Sequence, residues 1–182
     1  GAILYSLYLS FTDYDMFGTP EWVGLENYIK AFTNDEYFYQ YFGNTFYFAI
    51  VLVPVVLVIS LFLAILINKK VGKLTKAYRV ALFLPSITST VAVSMVWLWI
   101  FNPDMGILNN FLTAIGFHNP PMWLSDPEWS KPALIIMRVW QMSGYYMLLF
   151  LAGLQTIPET LYEAAEVDGA SSWQRFTRIT VP

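Results

Sequence analysis

Three long apolar stretches separated by polar segments dominate the pattern of hydrophobic and polar positions along the chain. Gly43–Ile67 contains 25 residues and no charge, Val80–Phe101 contains 22 and no charge, and Ala133–Leu154 contains 22 with Arg138 as its single charge. Because a membrane-spanning helix needs about 20 consecutive apolar residues, each stretch is long enough to cross a membrane. A fourth apolar run at the start of the chain is too short and is predicted to be the end of another helix. The predicted spans are 1–11 (partial), 43–67, 77–101 and 132–154.

The composition agrees with a membrane protein. Of the 182 residues, 57% are hydrophobic and 13% are charged, whereas a soluble domain has about a quarter charged residues. The net charge of -3 offers no basic surface for nucleic acid. The chain has no cysteine and one histidine, His118, so disulfides and thiolate metal sites are excluded and no metal site is predicted. The predicted fold class is an all-α membrane protein, a polytopic bundle of transmembrane helices.

Neither end of the sequence has the features of a natural terminus. Gly1 is not an initiator and opens an apolar run, and Pro182 directly follows a helix-like segment. We therefore expect the chain to be an internal piece of a longer protein, truncated at both ends.

The distribution of basic residues predicts the orientation in the membrane. The segment between spans 43–67 and 77–101 carries five basic residues and no acid, so the positive-inside rule places it in the cytoplasm. The loops 12–42 and 102–132 are then external, and everything after Leu154 returns to the cytoplasm. The five basic residues are Lys69, Lys70, Lys73, Lys76 and Arg79.

Two segments of the external loops are predicted to form short helices at the membrane surface. One is WVGLENYIKAF, whose Trp22, Tyr28 and Phe32 suit the headgroup region, where aromatic side chains are enriched. The other is ILNNFLTAIGF at 107–117. The aromatic residues are thus interpreted mainly as anchors in membrane lipid.

The segment 155–182 has the signals of two short helices joined by a tight turn. Pro158 suits a first helical turn, where no amide partner is needed, and Gly169 suits a left-handed C-terminal cap. Ser171 and Gln174 have the spacing of a capping box for the second helix. The small side chains of this segment allow another protein to approach closely, although an ordinary cytoplasmic helical tail would look similar. The small residues are Ala164, Ala165, Gly169 and Ala170.

The same segment resembles the EAA loop of binding-protein-dependent ABC importer permeases. That pattern is Glu-Ala-Ala, three residues, Gly, nine residues, Ile, one residue, Leu-Pro, and the chain departs from it only by Val181 in place of Leu. The resemblance implies that the segment couples transport to ATP hydrolysis in a separate subunit. The residues that carry this implied role are Glu163, Ala164, Ala165, Asp168 and Gly169.

Further runs extend the resemblance to the sugar-permease branch, which takes up oligosaccharides, other sugars and glycerol phosphate. These runs are WVGLENY, YRVALFLP, WLWIFNPDMGILN, WLSDP and AGLQTIPETLYEAAEVDGA. The resemblance implies a type I ABC importer permease fold with six core helices per subunit, in a prokaryotic inner (cytoplasmic) membrane. The implied partners are a second permease subunit, two cytoplasmic ATP-binding subunits and an extracytoplasmic solute-binding protein.

Polar residues within the last predicted span mark a candidate substrate pathway. Arg138, Gln141, Met142 and Tyr145 follow helical spacing and therefore share one face. A charge within a span by default marks a cavity or pathway, but Arg138 can also extend to the outer surface, and both interpretations stay open. In maltose-type permeases the equivalent helix lines the sugar site, and Tyr145 matches an aromatic position there by resemblance.

Hydroxyl residues at fourfold spacing mark the preceding span. Ser86, Thr90 and Ser94 suit helix packing, with a sugar-contacting role for Thr90 as the alternative. Hydroxyl, amide and aromatic groups favour a neutral sugar, and Arg138 leaves an anionic sugar or sugar phosphate open.

Missing motifs restrict the chemistry of this chain. A phosphate-binding loop of the form GxxxxGK[ST] is absent, since Ile67 stands where its first glycine would precede Gly72-Lys73. ATP hydrolysis is therefore assigned to another subunit, and neither enzymatic activity nor a cofactor is predicted here. An intramembrane enzyme would need an acid or histidine within a span, and the three spans have none. A passive channel is the remaining alternative.

Overall fold

The computed structural model describes residues 1–15, 17–68 and 73–181 and is mostly helical. Its helices are α1 (Ala2–Leu9), α2 (Glu26–Thr33), α3 (Phe38–Asn68), α4 (Lys73–Ile87), α5 (Thr90–Ile100), α6 (Ile107–Ala114), α7 (Pro127–Thr156), α8 (Glu159–Val167) and α9 (Ser172–Arg175), the last continued by a π-helical turn over Phe176–Thr180. The strands β1 (Thr12–Asp13) and β2 (Glu21–Trp22) form one antiparallel pair. The chain divides into two compact units, residues 1–49 and 50–182.

Within residues 1–49, the β1–β2 pair and α2 are joined through Asn27. Its amide donates to the backbone carbonyls of Ser10 and Thr12, at 3.1 and 2.9 Å. Phe11 stacks against Trp22 with 5.6 Å between ring centroids. The helix predicted within WVGLENYIKAF is present as α2, and its place at the membrane surface stays a prediction.

On the exposed side of α2, Lys30 pairs with Glu26 one turn earlier, with 2.9 Å between Nζ and Oε1. The Lys30 ammonium donates a hydrogen bond to the Glu26 carboxylate, and this bond, together with the attraction between the two charges, raises the pKa of Lys30. The pair stabilises the helix slightly, since the i, i+4 spacing brings opposite charges together.

Helices α3 and α7 are each long and apolar enough to cross a membrane. They contain 31 and 30 residues, or about 45 Å at 1.5 Å per residue, against about 30 Å for the hydrocarbon core. The predicted spans 43–67 and 132–154 lie inside them. Ala64 and Ile67 of α3 pack with Met147 and Leu151 of α7 in one buried cluster.

A continuous helix over the predicted span 77–101 is wrong. The structure has two helices there, Leu74–Ile87 and Thr90–Ile100, which meet at an angle of 101°. Pro85 lies inside α4, but a proline disturbs the turn before it, whereas this break follows at residues 88–89. The pair counts as one further span only if the bent helices cross the membrane together. Of the preceding basic segment, residues 69–72 lie outside the described part of the chain.

Helix α7 packs directly on the backbone of α4 at Gly144. A Cβ atom built on Gly144 would overlap the Leu82 carbonyl group and lie 3.0 Å from the Phe83 Cα atom. The absence of a side chain therefore lets the two backbones approach, as small residues do at membrane helix interfaces.

The loop between α5 and α7 is held by a buried asparagine of α6. Asn109 donates to the carbonyls of Pro103 and Pro121, both at 3.2 Å, and accepts from the Trp123 indole at 2.6 Å. Trp123 in turn stacks on Phe101, at 5.4 Å between centroids. The helix predicted within ILNNFLTAIGF is present as α6, its place at the membrane surface stays a prediction, and its buried asparagine makes three hydrogen bonds.

The Gly144 contact predicts the effect of a larger residue. Gly144→Leu should destabilise the protein by about 1–3 kcal/mol, since overpacking forces the backbones apart. The measurement is the thermal unfolding midpoint of the complete purified permease. Gly153→Leu is the matched control, because a Cβ atom at Gly153 of the same helix meets nothing within 4 Å. Equal midpoints for the two variants would contradict the close contact.

Orientation in the membrane stays a prediction, and two exposed positions test it. The sequence has no cysteine, so Lys76→Cys and Ser125→Cys each introduce one defined thiol. An impermeant thiol reagent should label intact cells at Ser125→Cys only and should label both variants after permeabilisation. Labelling of intact cells at Lys76→Cys but not at Ser125→Cys would reverse the topology.

Candidate substrate-pathway and coupling sites

Three of the predicted pathway residues form a hydrogen-bond chain that joins α7 to α5. The Arg138 guanidinium donates from Nη1 to Oε1 of Gln141, at 2.9 Å. The Gln141 amide donates from Nε2 to Oγ1 of Thr90, at 3.4 Å. Gln141 is 5% exposed, so the chain runs from the buried side of α7 to the first residue of α5.

The contact with Gln141 bears on both interpretations of Arg138, which stay predictions. An arginine that extended to the outer surface would direct its guanidinium towards the start of α7. Instead the group lies beside Gln141, one helical turn further into the predicted span. The charge is therefore held by a protein acceptor within α7.

The other two predicted pathway residues, Met142 and Tyr145, take no part in these two hydrogen bonds. Met142 lines an apolar cavity of about 170 Å³ with Tyr146 and residues of α3, among them Val56. Tyr145 is 49% exposed, and its ring meets that of Tyr146 edge-to-face at 5.4 Å. The shared face is thus divided between a polar contact with α5 and an apolar contact with α3.

The hydroxyl residues of α4 and α5 separate into two kinds. Ser86 donates to the Phe83 carbonyl at 2.7 Å, and Ser94 donates to the Thr90 carbonyl at 2.8 Å. Both bonds lie within their own helix. The Thr90 hydroxyl instead accepts from another helix, which makes it the member of the row with a long-range role.

The C-terminal segment (residues 155–182) has the predicted helix, turn and helix. Gly169 has a φ of +74°, the left-handed conformation that favours glycine. Its amide bonds to the Glu166 carbonyl at 3.1 Å, and the Ala170 amide bonds to the Ala165 carbonyl at 2.8 Å. These bonds end α8 as the sequence predicts.

The second helix begins with the predicted capping box. The Ser171 hydroxyl accepts from the Gln174 amide at 3.3 Å, and the Gln174 side chain accepts from the Ser171 amide at 2.8 Å. The helix is α-helical only to Arg175 and π-helical afterwards.

The residues implied by the EAA resemblance lie on the surface of the C-terminal segment. Ala165, Asp168 and Gly169 line a hollow of about 410 Å³ between α8 and α9, while Glu163 and Ala164 are exposed on α8. Two large apolar side chains next to them were not predicted. Val167 is 88% exposed and Trp173 is 71% exposed.

Two side-chain contacts that the sequence did not indicate hold the segment together. Arg175 of α9 forms an ion pair with Glu166 of α8, with 3.0 Å between Nη1 and Oε2. The hydroxyls of Tyr162 and Thr180 lie 3.0 Å apart. Both contacts cross the turn at separations of 9 and 18 residues, which no helical spacing rule reveals.

The chain matches the family model described as "Binding-protein-dependent transport system inner membrane component" over residues 56–182. The chain belongs to this family. The matched range contains α4, α5, α7 and the whole C-terminal segment, so both candidate sites lie within it. The resemblance seen in the EAA spacing is thereby confirmed at the level of the family.

Curated relatives include permeases named for sugars. The chain is 43% identical over 178 residues to the probable ABC transporter permease protein YesP of Bacillus subtilis, covering 97% of this chain and 57% of the relative. It is 40% identical to the xylose/arabinose import permease XacH of Haloferax volcanii, covering 100% and 57%. The lactose permease LacF of Rhizobium radiobacter is 39% identical, covering 87% and 53%. The chain thus spans little more than half the length of these relatives.

A solved structure has the same fold. A bacterial ABC transporter for import of the acidic polysaccharide alginate matches with a TM-score of 0.82 and 30% identity, covering 100% of this chain and 60% of that one. A second structure is a bacterial alginate ABC transporter in complex with a periplasmic protein that holds an alginate pentasaccharide. It matches with a TM-score of 0.76 and 32% identity, covering 87% of this chain and 55% of that one. The predicted class, an all-α membrane protein of the ABC importer permease kind, is confirmed.

The ion pair across the turn predicts a charge-reversal result. Glu166→Arg should loosen the turn by about 0.2–1 kcal/mol, the range of exposed pairs, and the Glu166→Arg/Arg175→Glu double variant should restore it. The measurement is hydrogen exchange of the Ala170 amide in the complete permease. Faster exchange in the single variant that the double variant fails to slow would contradict an ion-pair contribution.

Proposed function

We propose that this chain is a permease subunit of an ATP-driven sugar importer in the cytoplasmic membrane of a prokaryote. In this proposal α7 and the start of α5 line part of the substrate pathway, and the C-terminal segment contacts a cytoplasmic ATPase. The observation that carries the proposal is the exposed helix–turn–helix with EAA spacing, clamped by its own hydrogen bonds.

The shape of the C-terminal segment supports contact with another protein. An exposed hollow lined by small residues lets a partner's backbone approach, and the exposed side chains of Val167 and Trp173 provide apolar area beside it. Exposed apolar surface of this kind is a feature of protein–protein contact sites. Glu163, exposed on the same helix, is proposed to pair with a basic residue of the ATPase.

The pathway chemistry supports a sugar as the transported substrate. A sugar presents hydroxyl groups that both donate and accept, which suits the Gln141 amide and the Thr90 hydroxyl at the junction of α7 and α5. Tyr145 adds an exposed aromatic face nearby on α7. The Arg138 guanidinium keeps its charge and its other N–H donors, so both a neutral and an anionic sugar fit this chemistry. Relatives named for xylose, arabinose and lactose agree with this class.

The proposed complex contains further subunits. Transport against a gradient needs a nucleotide site, which this chain's sequence lacks, so two cytoplasmic ATP-binding subunits are proposed. A second permease subunit completes the pathway, and an extracytoplasmic solute-binding protein delivers the sugar. Membrane lipid surrounds the apolar faces of α3 and α7.

Gly169→Asp tests the coupling role with a matched control. We expect the variant to lose substrate-stimulated ATP hydrolysis in proteoliposomes, because a side chain at a positive φ costs about 1 kcal/mol and also fills the approach surface. Gly116→Asp is the control, since Gly116 also has a positive φ of 101° and open space around it but lies in the predicted external loop. It should keep stimulated hydrolysis.

A second variant separates charge from bulk. Asparagine has the shape of aspartate and tolerates the left-handed conformation equally, so Gly169→Asn adds the same bulk without the negative charge. Reduced stimulation in Gly169→Asn together with reduced pull-down of the ATPase supports contact at this surface. Normal association and normal stimulation in both Gly169 variants would overturn the coupling role, and sugar uptake without ATP would point to a passive channel.

A further inference from the structure

We infer that Arg138 is a positioning residue, which orients Gln141 so that its amide forms a latch across the break between α4 and α5. The inference deepens the proposed transport function and rests on it for its role in transport. The latch itself is a structural claim about three side chains of the described chain.

The orientation of the Gln141 amide follows from the chemistry of its neighbour. A guanidinium only donates hydrogen bonds, so the Gln141 atom that faces Arg138 must be the carbonyl oxygen. The amide nitrogen then points away from Arg138, and there it meets the Thr90 hydroxyl. Without Arg138 the amide has no reason to prefer this orientation over the flipped one.

The position of Thr90 makes this contact a restraint on the start of α5. Thr90 is the first residue of α5, directly after the break, and the cap residue Ser89 provides no side-chain hydrogen bond to the helix. Near the break, the Thr88 amide reaches the Pro85 carbonyl at 3.3 Å. The backbone therefore holds the break weakly, and the bond from α7 is a side-chain restraint on where α5 begins.

The two hydrogen bonds that link Arg138, Gln141 and Thr90 differ in length, and this difference decides which of them opens first. The bond between Arg138 and Gln141 is 2.9 Å and assisted by charge, whereas the bond between Gln141 and Thr90 is 3.4 Å, beyond the usual range for N–H···O bonds. The longer bond is the one that yields. A hydroxyl of a bound sugar can replace the Thr90 hydroxyl as acceptor, so that Gln141 keeps a partner when α5 moves.

Distances across the break test the latch without substrate or nucleotide. Tyr78 on α4 and Met95 on α5 are exposed, and cysteines placed there carry spin labels in the complete transporter in nanodiscs. Arg138→Met and Thr90→Val should shift or broaden the label distance distribution in the same way. Thr90→Ser keeps the acceptor oxygen and should therefore give the same label distance distribution as the protein with Thr90. Ser94→Ala is the matched control, because the Ser94 hydroxyl bonds within α5.

Transport kinetics then separate positioning from direct substrate contact. If Arg138 acts through Gln141, the effects of Arg138→Met and Thr90→Val on the KM for sugar uptake are not additive in the double variant. Additive effects on KM with unchanged label distances would make Arg138 a substrate contact and overturn the inference. Unchanged distances in all variants would overturn it as well.

One more variant covers the case in which Arg138→Met does not assemble. Gln141→Leu has no polar group that could donate to the Thr90 hydroxyl or accept from it. It should give the distance distribution of Thr90→Val, and an unmodified distribution would overturn the latch. If the variants change the label distances as expected in a complex that transports no sugar, the proposed function is rejected and the latch inference stands, so the two failures are distinguishable.

Discussion

The close approach of α7 to α4 at Gly144 is the contact on which the rest of this helix bundle depends. Because Gly144 has no side chain, the α7 backbone rests against Leu82 and Phe83 of α4. Gln141 lies one turn earlier on α7, and at this separation its amide reaches Thr90 beyond the break. A polar group in apolar surroundings must find its partner within the protein. The backbone contact thus fixes both the packing and the polar link between helices.

The sequence was sufficient for the features that depend on local chemistry. Hydrophobic length predicted where α3 and α7 lie, since burial in lipid needs an uninterrupted apolar run. The glycine cap at Gly169 and the capping box at Ser171 were predicted because each satisfies backbone groups within a few residues. The EAA spacing identified the family because its residues lie in one short segment, whose helix, turn and helix are set by these same local signals.

Contacts between residues that are far apart in the sequence could not be predicted from the sequence alone. The stretch 77–101 is apolar throughout, and hydropathy does not distinguish one straight helix from two that meet at 101°. The helical spacing of the α7 polar residues predicted one shared face, but it did not indicate that Gln141 faces α5 while Met142 faces α3. The pair Glu166–Arg175 depends on the angle between α8 and α9, which the turn alone sets.

The Gly144 contact and the bond between Gln141 and Thr90 together predict that α4 and α7 stay in contact at Gly144 while the start of α5, held by the longer bond to Gln141, shifts when that bond opens. Cryo-electron microscopy of the complete transporter, without nucleotide and trapped with a nucleotide analogue, tests it most directly. We expect the Gly144–Leu82 contact in both states and the bond between Gln141 and Thr90 in only one of them. The account is contradicted if that bond persists in both states, or if the Gly144–Leu82 contact separates together with it.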